Sequence, residues 1–392
     1  MTRYVLAELL KVFCVALTGL TLTIMLVGVV KEAISQGLPP YHVMRLIPYI
    51  LPDALRFSIP VTLLLAVTTV YSRMSGFNEV VALKALGISP VVLVWPALAI
   101  AFLLSLVSVW LNDVAVSWGR SGVQQVVLEA VDEIVYGMLR TDMRYNSKQF
   151  SINVSRVENR RLIRPIVTVF ARGSTPTITI EAEHAELFAD QQEKVLKIVL
   201  YNGRLDVADR ASGRFNDRQE LEIPLTDASR AGDVSNHPSF TPLWQIPEEV
   251  TRQLETIAER QQEAAVRTAC SLFTGEFGNL GGADWIFRQN SITDAQGRLF
   301  RLRLEPYRRW SAGFSCFCFV WVGVPMGIWL RKREPLTSFF LCFAPILAVY
   351  YPLLIYGING SKNGTIPPIS VWAGNFVLLL WGVWAMKKVL RY

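Results

Sequence analysis

The residues that could do chemistry in this chain are few, and they sit at the ends of apolar runs. The stretch GFNEVVALKALGIS, residues 76–89, reads as a short helix closed by Gly87 in the manner of a C-cap glycine. Glu79, Leu83 and Leu86 fall at i, i+4 and i+7, and Val80, Ala82, Lys84 and Ala85 fill the other faces. Such a helix can dock in a groove of another protein and pass motion to the adjoining apolar runs, or it can be an inert interfacial connector. Asp53 and Arg56, three residues apart, face each other on a helix as an ion pair or as members of a proton relay. His42, His184 and His237 are scattered, which supports neither a metal site nor a His-based triad. GINGSKNGT at Gly357 lacks the order of a phosphate-binding loop, and no H-E-x-x-H or G-x-S-x-G is present. No cofactor is expected.

The elements that must position these residues are membrane spans. The chain has 392 residues, is 52% hydrophobic and has a mean hydropathy of +0.32, which a soluble domain of this length rarely reaches. Uncharged runs lie between Lys11 and Lys31, Lys84 and Asp113, Arg309 and Arg331, Glu334 and Lys362, and Lys362 and Lys387. Each reaches the roughly 20 apolar residues that cross a hydrocarbon core about 30 Å thick. FSIPVTLLLAVTTVY, extended upstream by VMRLIPYILPDAL, makes a sixth. The first run holds nineteen uncharged residues with no small-x-small cleavage site after it, so it reads as a retained span and not a signal peptide.

The net charge of +7 follows from topology. With both ends inside, the short inner segments hold Arg3, Lys11, Arg73, Lys84, Arg331, Lys332, Arg333, Lys387, Lys388 and Arg391. The outer loops hold Lys31, Arg45 and Lys362, with Arg56 near the outer end of span two. This positive-inside bias accounts for much of the basic balance without nucleic acid. Cys14, Cys316, Cys318 and Cys342 lie in apolar runs and Cys270 has no outer partner, so no disulfide framework is expected.

Three spans therefore precede a large outer insertion and three come after it. Residues 117–136 continue span three as a helix, with Val123, Val126, Val127, Ala130, Val131 and Ile134 at helical spacing. Then QFSINVSRV, LIRPIVTVFA, PTITIEAEHAELFA, KVLKIVLYNGRLDVAD and GRFNDRQELEIPL read as strands. Turn signals separate them, Asn202-Gly203 among others. The expected fold is an α-helical polytopic membrane protein, six transmembrane helices as 3+3, with an inserted all-β jelly-roll-like periplasmic domain. Its segments are 1–136 for spans one to three, 137–246 for the β domain, 247–307 for a helix and connecting loop, and 308–392 for spans four to six. The helix, from Pro247, carries an apolar stripe of Val250, Leu254, Ile257 and Ala258; the Gly- and Asn-Ser-containing stretch after it, 272–306, reads as a loop.

Several stretches resemble the LptF/LptG (YjgP/YjgQ) permeases of the lipopolysaccharide-extracting ABC transporter. The coupling pattern of that family, an acidic residue, an Ala-rich turn and A-x-G-[IF]-S, stands here as Glu79, Ala82, Ala85, Gly87, Ile88 and Ser89. RYVLAELLK resembles the family's opening and WLNDVAVSW the end of its third span. Its fourth span is matched with G-x-P-x-G as Gly323, Pro325 and Gly327, and its sixth with Pro367, Trp372 and Asn375. The resemblance implies a non-enzymatic permease of the bacterial inner (plasma) membrane. The partners it implies are an LptB-like cytoplasmic ABC ATPase dimer, a paralogous six-span permease, an LptC/LptA-like jelly-roll protein and lipopolysaccharide. It implies ATPase coupling through Glu79, Ala82, Leu83, Leu86 and Gly87. The anionic head group then calls for cations at the outer mouth, with Lys31, Arg45 and Arg56 as candidates; Lys31 reads equally as a snorkelling anchor. A non-transporting scaffold and an ABC-linked mechanical transducer are the alternatives.

The charge bias sets a test. In a chain carrying Cys270→Ser, a cysteine at Asn202 is expected to react with an impermeant maleimide added outside, and one placed within 76–89 is not. The opposite labelling overturns the topology.

Overall fold

The computed structural model describes residues 2–36, 40–87, 89, 91–147, 150–158, 161–170, 177–190, 195–207, 211–224, 238–275, 281–330 and 335–391. Helices α1 (Thr2–Gln36), α2 (Pro40–Gly76), the short α3 (Glu79–Ala85) and α4 (Val91–Val114) come first. A π-helical turn, Ala115–Arg120, leads into α5 (Ser121–Glu129) and α6 (Val131–Asp142). Among the described residues eight strands come next, then α7 (Ile246–Thr274), α8 (Ala283–Trp329), α9 (Pro335–Lys362) and α10 (Ala373–Arg391). Among the described residues, six helices are long and apolar enough to cross a membrane, and the all-β insertion lies between the third and the fourth.

The chain forms two compact units, one of residues 1–24, 52–117 and 238–392 and one of 25–51 and 118–237. In the first, α8 is the central helix and packs against α4, α7, α9 and α10. Small residues let it come close. A Cβ on Gly323 would meet Leu64 of α2 at 2.7 Å, and one on Gly327 would meet Tyr71 at 3.2 Å and the Thr68 carbonyl at 3.4 Å. Lipid tails are as apolar as side chains, so close backbone approach and interhelical hydrogen bonds carry helix association. The bonds are present. Tyr71 OH donates to Leu93 O at 2.6 Å, Ser75 Oγ to Ile328 O at 2.8 Å, and Asn375 Nδ2 to Ser311 O at 2.9 Å.

Most of the described residues in the stretch expected to form a loop are helical. α7 runs to Thr274, α8 begins at Ala283, and the two pack together through Ile257, Ala295 and Leu299 with Val250. Gly281-Gly282 marks the start of α8. The polar residues after it broke the apolar pattern only because the hairpin presents them to solvent. Its inward stripe is half-buried Val250 with buried Gln253 and Ile257, and Leu254 and Ala258 face outward.

In the second unit the strands β1 (Arg144–Asn146), β2 (Phe150–Asn153), β3 (Arg156–Glu158), β4 (Arg161–Ile163), β5 (Ile166–Val169), β6 (Ile178–Asp190), β7 (Val195–Val207) and β8 (Ala211–Pro224) form one antiparallel eight-stranded sheet. β6 is its spine: β5 and β4 pair with it at residues 178–181 and 184–186, and β7 pairs along its length. One face is covered by α6 through Val135, Tyr136 and Leu139. Asn202-Gly203, expected as a turn, is a bulge within β7, with Asn202 at φ 48°. A side chain on Gly203 would collide with Glu181 O and the Phe215 ring, so the strand continues across the bulge. The 25–51 segments of α1 and α2 also belong here, because Leu46, Val43, Tyr49 and Ile50 pack on Val126, Val127, Ala130 and Ile134.

Candidate functional site

α3 is built to be rigid and two-sided. Asn78, at φ 59°, starts it, and Gly87, at φ 76°, ends it with its N–H donating to Lys84 O at 2.9 Å. Glu79 in the first turn and Lys84 in the last complement the helix dipole. Val80, 4% exposed, enters the core of the membrane unit, Leu83 packs on that core, and Lys84 Nζ donates to Val389 O of α10 at 2.7 Å. On the opposite side Val81, Ala82, Ala85, Leu86 and Gly87 are exposed, Leu86 to 74%. Of the five sequence candidates, Ala82, Leu86 and Gly87 therefore lie on the open face and half-buried Glu79 at its border. Leu83 is turned inward. At 100° per residue it falls between Glu79 and Val80, which places it on the anchoring side. Ile88 lies outside the described residues, and Ser89 is exposed.

The three candidate cations differ in their surroundings. Lys31 is exposed on α1 and has no ion pair among the described residues. Arg45 pairs with Glu129 at 3.1 Å and lies over the Tyr41 ring at 5.4 Å. Arg56 pairs with Asp53 at 2.6 Å and lies over Phe57 at 4.6 Å, so the two residues that faced each other by spacing form an ion pair. Lys31 and Arg45 belong to the unit containing the sheet, and Arg56 to the other.

A model of the lipopolysaccharide export system permease LptF/LptG family matches residues 3–388, essentially the whole chain. The chain belongs to the LptF/LptG family. A comparison with curated proteins returns no match. This LptF/LptG permease shows why the motifs of its fourth and sixth spans take the residues they do. Gly323 and Gly327 admit α2, and Asn375, 1% exposed, ties α10 to Ser311 of α8.

Sequence reasoning missed a buried ion cluster at the opposite end of the membrane helices from α3. Arg309 of α8 is 3% exposed. It donates to Asp113 Oδ1 of α4 at 2.9 Å and to the carbonyls of Ser239 and Thr241 at 3.2 and 2.7 Å. Asp113 Oδ1 also accepts the Leu243 N–H at 2.8 Å, and Glu305, buried one turn before Arg309, accepts from Ser239 Oγ at 2.9 Å. The cluster fixes both ends of the insertion, where α4 leaves the bundle and where the chain returns through residues 238–245. Its only trace in the sequence is that Asp113 and Arg309 bound two apolar runs.

Breaking such a pair strands a buried charge, a loss of about 3–5 kcal/mol. Arg309→Leu is therefore expected to destabilise the protein by about that amount in a mixed-micelle denaturant titration. Arg252→Leu, whose exposed side chain pairs with Glu249 on α7, should stay within about 1 kcal/mol of the parent. Equal losses would remove the cluster's special role.

Proposed function

We propose that this permease is one half of an ABC transporter that extracts lipopolysaccharide, or a related glycolipid, from the bacterial inner membrane. It passes the lipid to a periplasmic jelly-roll bridge towards the outer membrane. Its partners are an LptB-like ATPase dimer on the cytoplasmic side, a paralogous six-span permease and an LptC/LptA-like jelly-roll protein. Both termini and α3 are cytoplasmic and the β domain is periplasmic. The permease hydrolyses nothing itself.

The observation that carries this reading is the two-sidedness of α3. Its inner face is fastened to the core and to the end of α10, and its outer face is apolar, small and unpartnered among the described residues. A push received on Ala82 and Leu86 is delivered through Val80, Leu83 and Lys84 to the second and sixth spans. Energy for moving lipid must enter somewhere, and the described spans hold no chain of buried acids to take it from a proton gradient. Within the β unit, β8 pairs with β7 alone among the described strands, which leaves an edge that a partner's strand can extend. Lys31 is the candidate cation with no carboxylate partner among the described residues, so it is the first contact for a phosphorylated head group.

Two variants test the two ends. Glu79→Lys should fold normally but lose the ATPase on co-purification, because reversing a charge at a buried interface pair costs on the order of 2–5 kcal/mol. Normal ATPase recovery and normal lipid export in this variant would count against coupling through α3. Lys31→Glu should lower lipid-stimulated ATP hydrolysis and photocrosslinking to lipid, while Lys31→Arg preserves both. Charge pairs in a partly desolvated cavity are poorly screened, so reversal there turns attraction into repulsion. Wild-type behaviour of Lys31→Glu at equal expression would leave Lys31 as a membrane anchor.

A further inference from the structure

A cavity of about 730 Å³ opens beside α3, within the roughly 300–1,000 Å³ range of pockets that hold small ligands. Val81 and Lys84 of α3 form one wall, Met326 and Trp329 at the end of α8 another, and Trp384 and Lys388 near the end of α10 the third. The two cations that line it are not matched by any lining acid, and neither has a carboxylate partner among the described residues. The Lys388 ammonium stands 4.4 Å from the centroid of the Trp329 ring and 5.5 Å from that of Trp384. Both tryptophans are 57% exposed, although they lie on helices apolar enough to span a membrane. Lys84 spends one N–H on Val389 O and keeps two.

These features describe one depth and one chemistry. Tryptophans at the ends of spans sit at the level of lipid head groups, and a lysine beside them reaches for phosphate. A basic pocket between span ends, next to a run of basic residues, recognises anionic lipid heads. Such a run, Arg331-Lys332-Arg333, comes just after Trp329 in the sequence.

We propose that the cavity between α3, α8 and α10 binds an anionic phospholipid, its phosphate on Lys388 and Lys84 and its first methylenes against Trp329 and Trp384. A lipid seated there braces the flank of α3 against the ends of the fourth and sixth spans. The site is separate from the transported glycolipid, and it stands whether or not α3 meets an ATPase.

The test is native mass spectrometry of the full-length chain in a zwitterionic detergent, titrated with phosphatidylglycerol or with phosphatidylcholine of the same acyl chains. A phosphatidylglycerol adduct should persist where the phosphatidylcholine adduct is lost. Lys388→Gln should weaken it roughly fivefold, the effect of one lysine at a lipid surface, and Lys388→Arg should hold it within about twofold. Lys362→Gln, at the far end of α9, should leave it unchanged; this control and the Arg variant separate loss of the site from loss of the fold. Equal retention of the two lipids overturns the proposal, as does an unaltered adduct in Lys388→Gln. Displacement by excess inorganic phosphate would make the cavity a free-anion site. Disappearance of the adduct when the ATPase is bound would make it a protein-docking groove, and either result ends the lipid assignment.

Discussion

A bilayer core offers no water to a peptide group, and that constraint orders this molecule. Each span satisfies its own backbone as a helix, and its polar side chains gain by bonding back to a carbonyl or across to a neighbour. Thr62 and Thr68 bond to the preceding turn, and Ser75, Tyr71 and Asn375 bond across to other helices. Burying apolar surface gives little association energy when the solvent is itself apolar. Packing must therefore come from close approach, and close approach is served by small residues on one helix that several neighbours share. α8 is that helix. Gly313 meets Val109 of α4, Gly323 and Gly327 meet α2, and Ser311 takes Asn375 of α10.

The two ends of this bundle solve different problems. At one end the chain must leave the membrane for the β insertion and return. Arg309 fastens the departing and the returning segments together from within α8. A guanidinium suits the place because its planar fork serves a carboxylate and two carbonyls at once. At the other end the helices are joined by short links, and α3 is held by one apolar contact patch and one lysine. Lys84 donates to Val389 O in the last turn of α10, where the helix carries the negative end of its dipole. A tie of one charged bond yields more readily than a buried cluster, and that suits an element proposed to move.

The β unit is organised by one long strand. β6 accepts two shorter ladders on one edge and β7 on the other, and α6 closes one face. Tyr136 joins the two layers, its hydroxyl accepting the Leu187 N–H at 2.9 Å. The segments 25–51 of the first two spans share this unit through Leu46 and its neighbours, and Arg45 is thereby held to Glu129. A candidate head-group cation is in this way placed by the same packing that supports the sheet.

What the sequence by itself determined is local. Apolar runs of membrane length define the spans, alternating Val, Ile and Thr define the strands, and Gly87 closes α3, because each of these depends on neighbours within a few residues. The order of the family's motifs was legible for the same reason. The tertiary structure alone decided which face of α3 is anchored, since Leu83 and Leu86 are equally apolar and only the position of the core distinguishes them. It decided that residues 283–303 are helical, because their stripe acquires meaning only against α7. It also decided that Arg309 meets Asp113 across 196 residues and that Lys84 meets Val389 across 305. Periodicity records how a segment presents its faces, but a buried charge takes its partner from whatever the packed helices bring within bonding distance.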